Sequence, residues 1–287
     1  MSKKKKLQDE DYPTTGHEWD GIREYDKPMP RWWLWTFYLT IIFSIGYVIA
    51  YPAIPLVNSA TPGVLKYSTR MEVREHIDAV NAQNAEIEAR LLSTPLEQVA
   101  ADADLSRFAT AGGNSVFKTY CAQCHGAGAQ GFKGYPNLQD DDWLWGGDLD
   151  AIEITIRHGI RHDADDDTRY SEMPKFGEIL EEAEIAQLTE YVLSVSSQDH
   201  DSSAVVKGQS LFADNCSSCH GETAQGDREQ GAPNLADALW LYGGDREAIS
   251  HTIKNSRFGV MPAWQGRLTE AQIKQVTFYV HQLGGGE

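Results

Sequence analysis

Cys121-Ala-Gln-Cys-His125 and Cys216-Ser-Ser-Cys-His220 are two copies of one pentapeptide, and together they hold all four cysteines of the 287-residue chain. Two thiols three positions apart can each form a thioether to one vinyl group of a porphyrin, and the imidazole that follows then reaches the iron. The pair of motifs therefore implies two covalently bound haem c groups, attached through Cys121, Cys124, Cys216 and Cys219, with His125 and His220 as proximal ligands. A redox dithiol or a zinc site uses the same thiol spacing. Neither needs a histidine directly after each second cysteine, nor the Met-Pro that follows both copies. With every cysteine used, no structural disulfide is expected, and haem attachment points to an oxidising compartment outside the cytoplasm.

Outward from the motifs the chain repeats itself. Gly113-x-x-x-Phe117 answers Gly208-x-x-x-Phe212, Pro136-Asn-Leu138 answers Pro233-Asn-Leu235, and Trp145-Gly-Gly-Asp148 answers Tyr242-Gly-Gly-Asp245. Met173-Pro174 answers Met261-Pro262, and each is followed by an amphipathic segment, 181–195 and 269–283. Order and spacing are kept, which is the mark of a duplicated domain. Units this small bury little apolar surface alone, and haem supplies part of the missing core. The polar run Ser196 to Ala204 reads as a linker between them.

Only Met71, Met173 and Met261 follow the apolar segment described below. Met173 and Met261 lie at matching places before proline, which holds the preceding residue extended, so both are expected as sixth iron ligands. Met71 reads as packing on a helical arm. Each Met-Pro loop can serve the haem of its own repeat, or the two can be exchanged, Met173 to the second haem and Met261 to the first; spacing allows both. His158, His162, His251 and His281 are rival ligands, but none matches between the copies. His/Met ligation raises the reduction potential and leaves no open position for substrate. That chemistry is electron transfer; no residue is expected to be catalytic. A dihaem peroxidase would need one labile or empty distal site, and a free-standing tethered electron shuttle is a further alternative.

No charge occurs between Arg31 and Lys66, and Trp32 to Ala50 is almost wholly apolar. About 20 helical residues cross a hydrocarbon core of roughly 30 Å. Pro52 and Pro55 end the run, and Trp32, Trp33, Trp35, Tyr47 and Tyr51 suit the two interfaces. The run is too long, and begins too late, for a cleaved leader. Lys3 to Lys6, Arg23, Lys27 and Arg31 precede it, which predicts a cytoplasmic N-terminus and haem modules on the far side. Thr36, Thr40 and Ser44 recur every four residues, either as a stripe for another helix or as hydroxyls bonded to their own backbone. Residues 68–92 carry Met71, Ile77, Val80, Ile87 and Leu91 near a helical period and predict an arm ended by Pro95.

The net charge is −17. Acidic and basic groups cancel in residues 1–31, so the excess lies beyond the apolar segment. Such a surface excludes nucleic acid and suits a basic donor protein, although it also serves solubility. Asp140-Asp-Asp142 and Asp163 to Asp167 lack a calcium-loop spacing and read as solvated loops.

Taken together, Gly16-His-Glu-Trp-Asp-Gly-Ile22, Pro30-Arg-Trp-Trp-Leu-Trp-Thr-Phe-Tyr38, Cys121-Ala-Gln-Cys-His-Gly126, Tyr135-Pro-Asn-Leu138, Asp141-Asp-Trp-Leu-Trp-Gly-Gly147 and Tyr279-Val-His-Gln-Leu-Gly-Gly-Gly286 resemble the FixP/CcoP subunits of cbb3-type cytochrome c oxidases. The resemblance covers nearly the whole chain. It implies a mainly α fold, with one N-terminal transmembrane helix and two tandem class I cytochrome c-like helical domains. It also implies a bacterial inner-membrane subunit that takes electrons from a donor cytochrome c. Those electrons would pass through a monohaem cytochrome c subunit to the haem-copper centre of the proton-pumping catalytic subunit. The expected limits are a cytoplasmic segment 1–31, a span 32–56, a periplasmic arm 57–107, a first cytochrome domain 108–197, a linker 198–206 and a second domain 207–287.

Overall fold

The computed structural model describes residues 13–286, so the lysines at positions 3–6 lie outside the described residues. Asp20-Gly21 has the composition of a two-residue hairpin turn, and both residues adopt positive φ, +48° and +82°. Around that turn β1 (Thr14–Trp19) and β2 (Ile22–Tyr25) pair antiparallel, with Trp19 opposite Ile22 and Glu18 opposite Arg23. The mainly α expectation had no place for this hairpin. Helix α1 (Arg31–Ala50) follows Pro30, and it is the one described helix long and apolar enough to cross a membrane. It stops at Ala50, short of the expected limit at 56, because Pro52 cannot continue a helix. The hydroxyls of Thr36, Thr40 and Ser44 donate to Trp32, Phe37 and Thr40 carbonyls of the same helix, as lone hydroxyls in apolar helices do.

The predicted arm is helix α2 (Thr69–Ser93). Met71 is exposed, not packed. Contacts divide the chain inside this helix, one unit ending at Gln83 and the other beginning at Asn84. In the second unit α2 ends on the short α3 (Leu96–Val99), and α4 (Ala103–Val116) starts at an Asp102 cap whose carboxylate accepts two backbone N–H groups. The first repeat thus begins its helix before residue 108. It continues through a π turn, Phe117–Cys121, into α5 (Ala122–His125), then α6 (Leu149–His158) and α7 (Glu182–Val195). The second repeat supplies α8 (Ser202–Asn215), α9 (Ser217–His220), α10 (Arg246–Asn255) and α11 (Glu270–His281). The linker shrinks to 196–201, because Asp201 caps α8 through the Ser203 N–H and 202–206 become its first turns. Asp148 and Asp245, which close the Trp-Gly-Gly-Asp and Tyr-Gly-Gly-Asp repeats, cap α6 and α10 on the N–H groups of Ala151 and Ala248.

The helices do not pack by repeat. α4 lies on α11, and α7 lies on α8. Gly113 and Gly208 explain the closeness of both crossings. A Cβ at Gly113 would strike the Gln275 carbonyl and Tyr279, and one at Gly208 would strike the Gln187 carbonyl and Tyr191. One core joins Val116, Phe117, Ala129, Ile152 and Ile156 to Trp264, Leu268, Ile273, Val276 and Val280. The other joins Phe176, Ile185, Leu188, Tyr191 and Val192 to Phe212, Ala224, Ile249 and Ile253. Each core therefore takes its front half from one repeat and its Met-Pro loop and last helix from the other.

Candidate functional site

Both pentapeptides sit on a short helix turn that a glycine ends: Gly126 with φ +82° after His125, and Gly221 with φ +75° after His220. The chain then folds back, and the His125 and His220 carbonyls accept from Gly131 and Gly226 at 2.8 Å. This return brings Pro136 and Pro233 against the two imidazoles. His125 Nδ1 lies 3.1 Å from the Pro136 carbonyl, and His220 Nδ1 lies 3.0 Å from that of Pro233. A carbonyl can only accept, so each ring carries its proton on Nδ1 and leaves the Nε2 lone pair for a metal. Burial pushes the pKa of both rings down, partly opposed by those carbonyls, and this keeps the ligand form at neutral pH.

All four cysteines are free thiols. Burial, with a smaller contribution from the neighbouring cysteine, pushes Cys121 and Cys216 up to about 11. Redox-active thiols need the opposite shift, so the dithiol alternative lacks its environment, while an apolar thioether fits.

The crossed packing decides where the methionines go. Met261 packs on the same core as Cys121, Ala122 and Leu138. Met173 packs on the core that carries Cys216, Leu235 and Trp240. Backbone bonds hold both loops: Met261 exchanges N–H to carbonyl bonds with Ile160 at 3.0 and 2.9 Å, and the Ser256 hydroxyl donates to the Met173 carbonyl at 2.7 Å. Each methionine thus packs with the pentapeptide of the other repeat. Among the rival histidines, His162 is half-buried and its Nδ1 has no hydrogen-bond partner among the described residues. His158 Nδ1 meets Asp165 at 3.1 Å, and His251 faces solvent. His158, Asp165 and Asp167 come within 4.8 Å of one another. Asp165 there accepts from Gln265 and the Asp167 N–H, and so closes its loop by hydrogen bonds.

Two residues escape a reading of the sequence. Arg169 lies over the Trp145 ring and donates to the Trp145 and Ala151 carbonyls; Arg257 lies over the Tyr242 ring and donates to the Ala248 carbonyl. The pairs are equivalent in space, but the arginines follow their aromatic partners at different offsets, so the repeat does not display them. The buried Trp145 Nε1 and Arg169 Nε have no acceptor among the described residues. Buried donors of this kind are made for an acceptor from outside, and the carboxylate arms of a porphyrin meet that need. The donor set therefore fits haem.

A helical fold of this kind with doubled Cys-x-x-Cys-His centres behind an apolar helix defines a membrane-anchored c-type cytochrome with two tandem modules. Residues 110–196 match the cytochrome c family, 203–280 match the cytochrome c oxidase cbb3-type subunit III family, and 12–58 match the N-terminal domain of cytochrome oxidase-cbb3, FixP. Among its relatives are the cbb3-type cytochrome c oxidase subunit CcoP of Cereibacter sphaeroides, 57% identical over 96% of both chains, and subunit FixPc of Rhizobium leguminosarum bv. viciae, 50% identical over 95% of both. CcoP of Rhodobacter capsulatus is 49% identical over the full length of both. The chain belongs to this CcoP/FixP family of cbb3-type oxidase subunits.

Proposed function

We propose that the chain carries two haem c groups in series and relays electrons from a donor cytochrome c, through a monohaem subunit, to the oxygen-reducing haem-copper centre of a cbb3-type oxidase. Cys121 and Cys124 hold one group and Cys216 and Cys219 the other. His125 and Met261 ligate the first iron, and His220 and Met173 ligate the second. Held by these residues, the haem would supply a one-electron couple. The chain's own part is to fix the imidazole tautomers through Pro136 and Pro233, to keep water from the thioether ligands, and to seat the carboxylate arms on Arg169 and Trp145. The observation that carries this reading is the shared packing of Met261 with Cys121 and of Met173 with Cys216.

Helix α1 anchors the subunit in the bacterial inner membrane in a single pass, with the N-terminus in the cytoplasm and both haems in the periplasm. The basic residues before the helix support that orientation. The acidic exterior suits a basic donor. Extraction in mild detergent followed by haem and metal analysis tests the assignment. Co-purification with b-type haem and copper is expected; a lone c-type species overturns it.

A further inference from the structure

The hairpin before the membrane helix has no role in haem binding. Every residue of β1 and β2 is exposed, including Trp19 at 71% and Ile22 at 70%. A two-stranded hairpin alone is marginally stable in water and needs a further strand or an apolar surface against it. Trp19 and Ile22 are paired directly across the ladder beside the tight Asp20-Gly21 turn. They therefore form one apolar tip.

Charge says what this tip meets. Glu18, Asp20 and Glu24 stand on the hairpin against Arg23, and the Asp26 and Lys27 that follow cancel, so the surplus belongs to the hairpin itself. Arg23 is itself paired with Glu18 at 2.7 Å. The cytoplasmic leaflet is anionic and would repel this acidic surplus. The cytoplasmic loops of multi-span membrane proteins are enriched in Lys and Arg and would attract it. Reach narrows the choice further. Five residues lie between Tyr25 and Arg31, so over the six steps at about 3.5 Å each the hairpin stays within roughly 20 Å of the start of α1. A neighbour in the same membrane is within that radius.

We propose that the hairpin Thr14–Tyr25 docks on the Lys/Arg-rich cytoplasmic loop face of a multi-span membrane partner, with Trp19 and Ile22 as the apolar anchor and Asp20 and Glu24 as its charged rim. The inference rests on the oxidase reading and on the inward N-terminus, and it makes the catalytic membrane subunit the occupant.

The full chain in its native membrane provides the test. A photo-cross-linking residue in place of Trp19 is expected to capture the haem-copper subunit. Capture of lipid alone, or of a soluble protein, overturns the proposal. The paired change Asp20→Lys with Glu24→Lys, and separately Trp19→Ser with Ile22→Ser, should each weaken co-purification of the chain with b-type haem and copper by about thirtyfold, the loss that removal of an interface anchor brings. The haem-stained chain should meanwhile remain in the membrane at its usual level. Variants that co-purify as well as the parent overturn the hairpin proposal alone. A parent chain that never co-purifies with b-type haem and copper overturns the oxidase reading first.

Discussion

The two cores are assembled from the same parts, yet they are supported differently. The core around Cys121 has a second apolar layer behind it, where Leu91, Leu96 and Val99 pack on Leu105 and Ala109 of α4 and Phe278 of α11. Lys274 of α11 fastens that layer by donating to the Leu91, Leu92 and Thr94 carbonyls, which terminate α2. Among the described residues no such layer lies around Cys216, whose helices are pinned instead by the bidentate pair of Arg246 on α10 with Glu190 on α7. A second pair is common to both cores, Arg157 of α6 on Glu270 of α11 in the first and Lys254 of α10 on Glu182 of α7 in the second. Duplication kept what touches the motif and the crossing helices. It let the outer support diverge.

The largest expected effect breaks the symmetry of the methionines. With the second haem removed by Cys216→Ser and Cys219→Ser, Met261→His should lower the potential of the remaining haem by on the order of 0.2 V, within the range that axial ligands cover. Met173→His in the same background should leave it unchanged. If redox titration shows the reverse, each loop serves its own repeat and the exchange is wrong.

A smaller effect separates the helix crossings. Gly208→Ala should destabilise the α7/α8 crossing by about 3 kcal/mol, because the added methyl meets the Gln187 backbone and not a yielding side-chain end. Denaturant unfolding followed at both haems should show the Cys216 core loosening first. Simultaneous loss at both would mean that the cores unfold as one.

The smallest is a pH effect confined to the second core. The hydrogen bonds from Arg246 hold the Glu190 carboxyl down to about 2, well below its ordinary value. A depressed carboxylate stabilises the folded state fully above its ordinary pKa and loses that contribution as pH falls toward the folded value. Glu190→Gln should therefore cost about 1 kcal/mol at neutral pH, modest because Arg246 is half exposed, and nothing near pH 2. An equal deficit at both pH values would assign the loss to packing.

Much of this site was legible in residue order. The pentapeptides, the Met-Pro pairs and the glycine of each helix crossing all recur at matching offsets, because each contacts the motif or a helix backbone. The exchange was not legible, since both pairings of Met173 and Met261 keep the same order and a short turn at 196–201 serves either. Arg169 stayed hidden because Trp145 and its arginine lie further apart in sequence than Tyr242 and Arg257 do. The hairpin did have a signal in Asp20-Gly21, but its strands carry no alternating apolar pattern, which is what a hairpin awaiting a partner looks like.

The crossing of α4 with α11 also sets an order of events in the life of the chain. α7 and α8 are neighbours in sequence and can meet as soon as both exist. Asn114 must wait for Tyr279, to which it donates a hydrogen bond across 165 positions. Contacts so distant form late, because the intervening chain has to be closed first. The Cys121 motif is thus the first to be synthesised and the last to be enclosed, so its thiols stay open to haem until the final helix arrives.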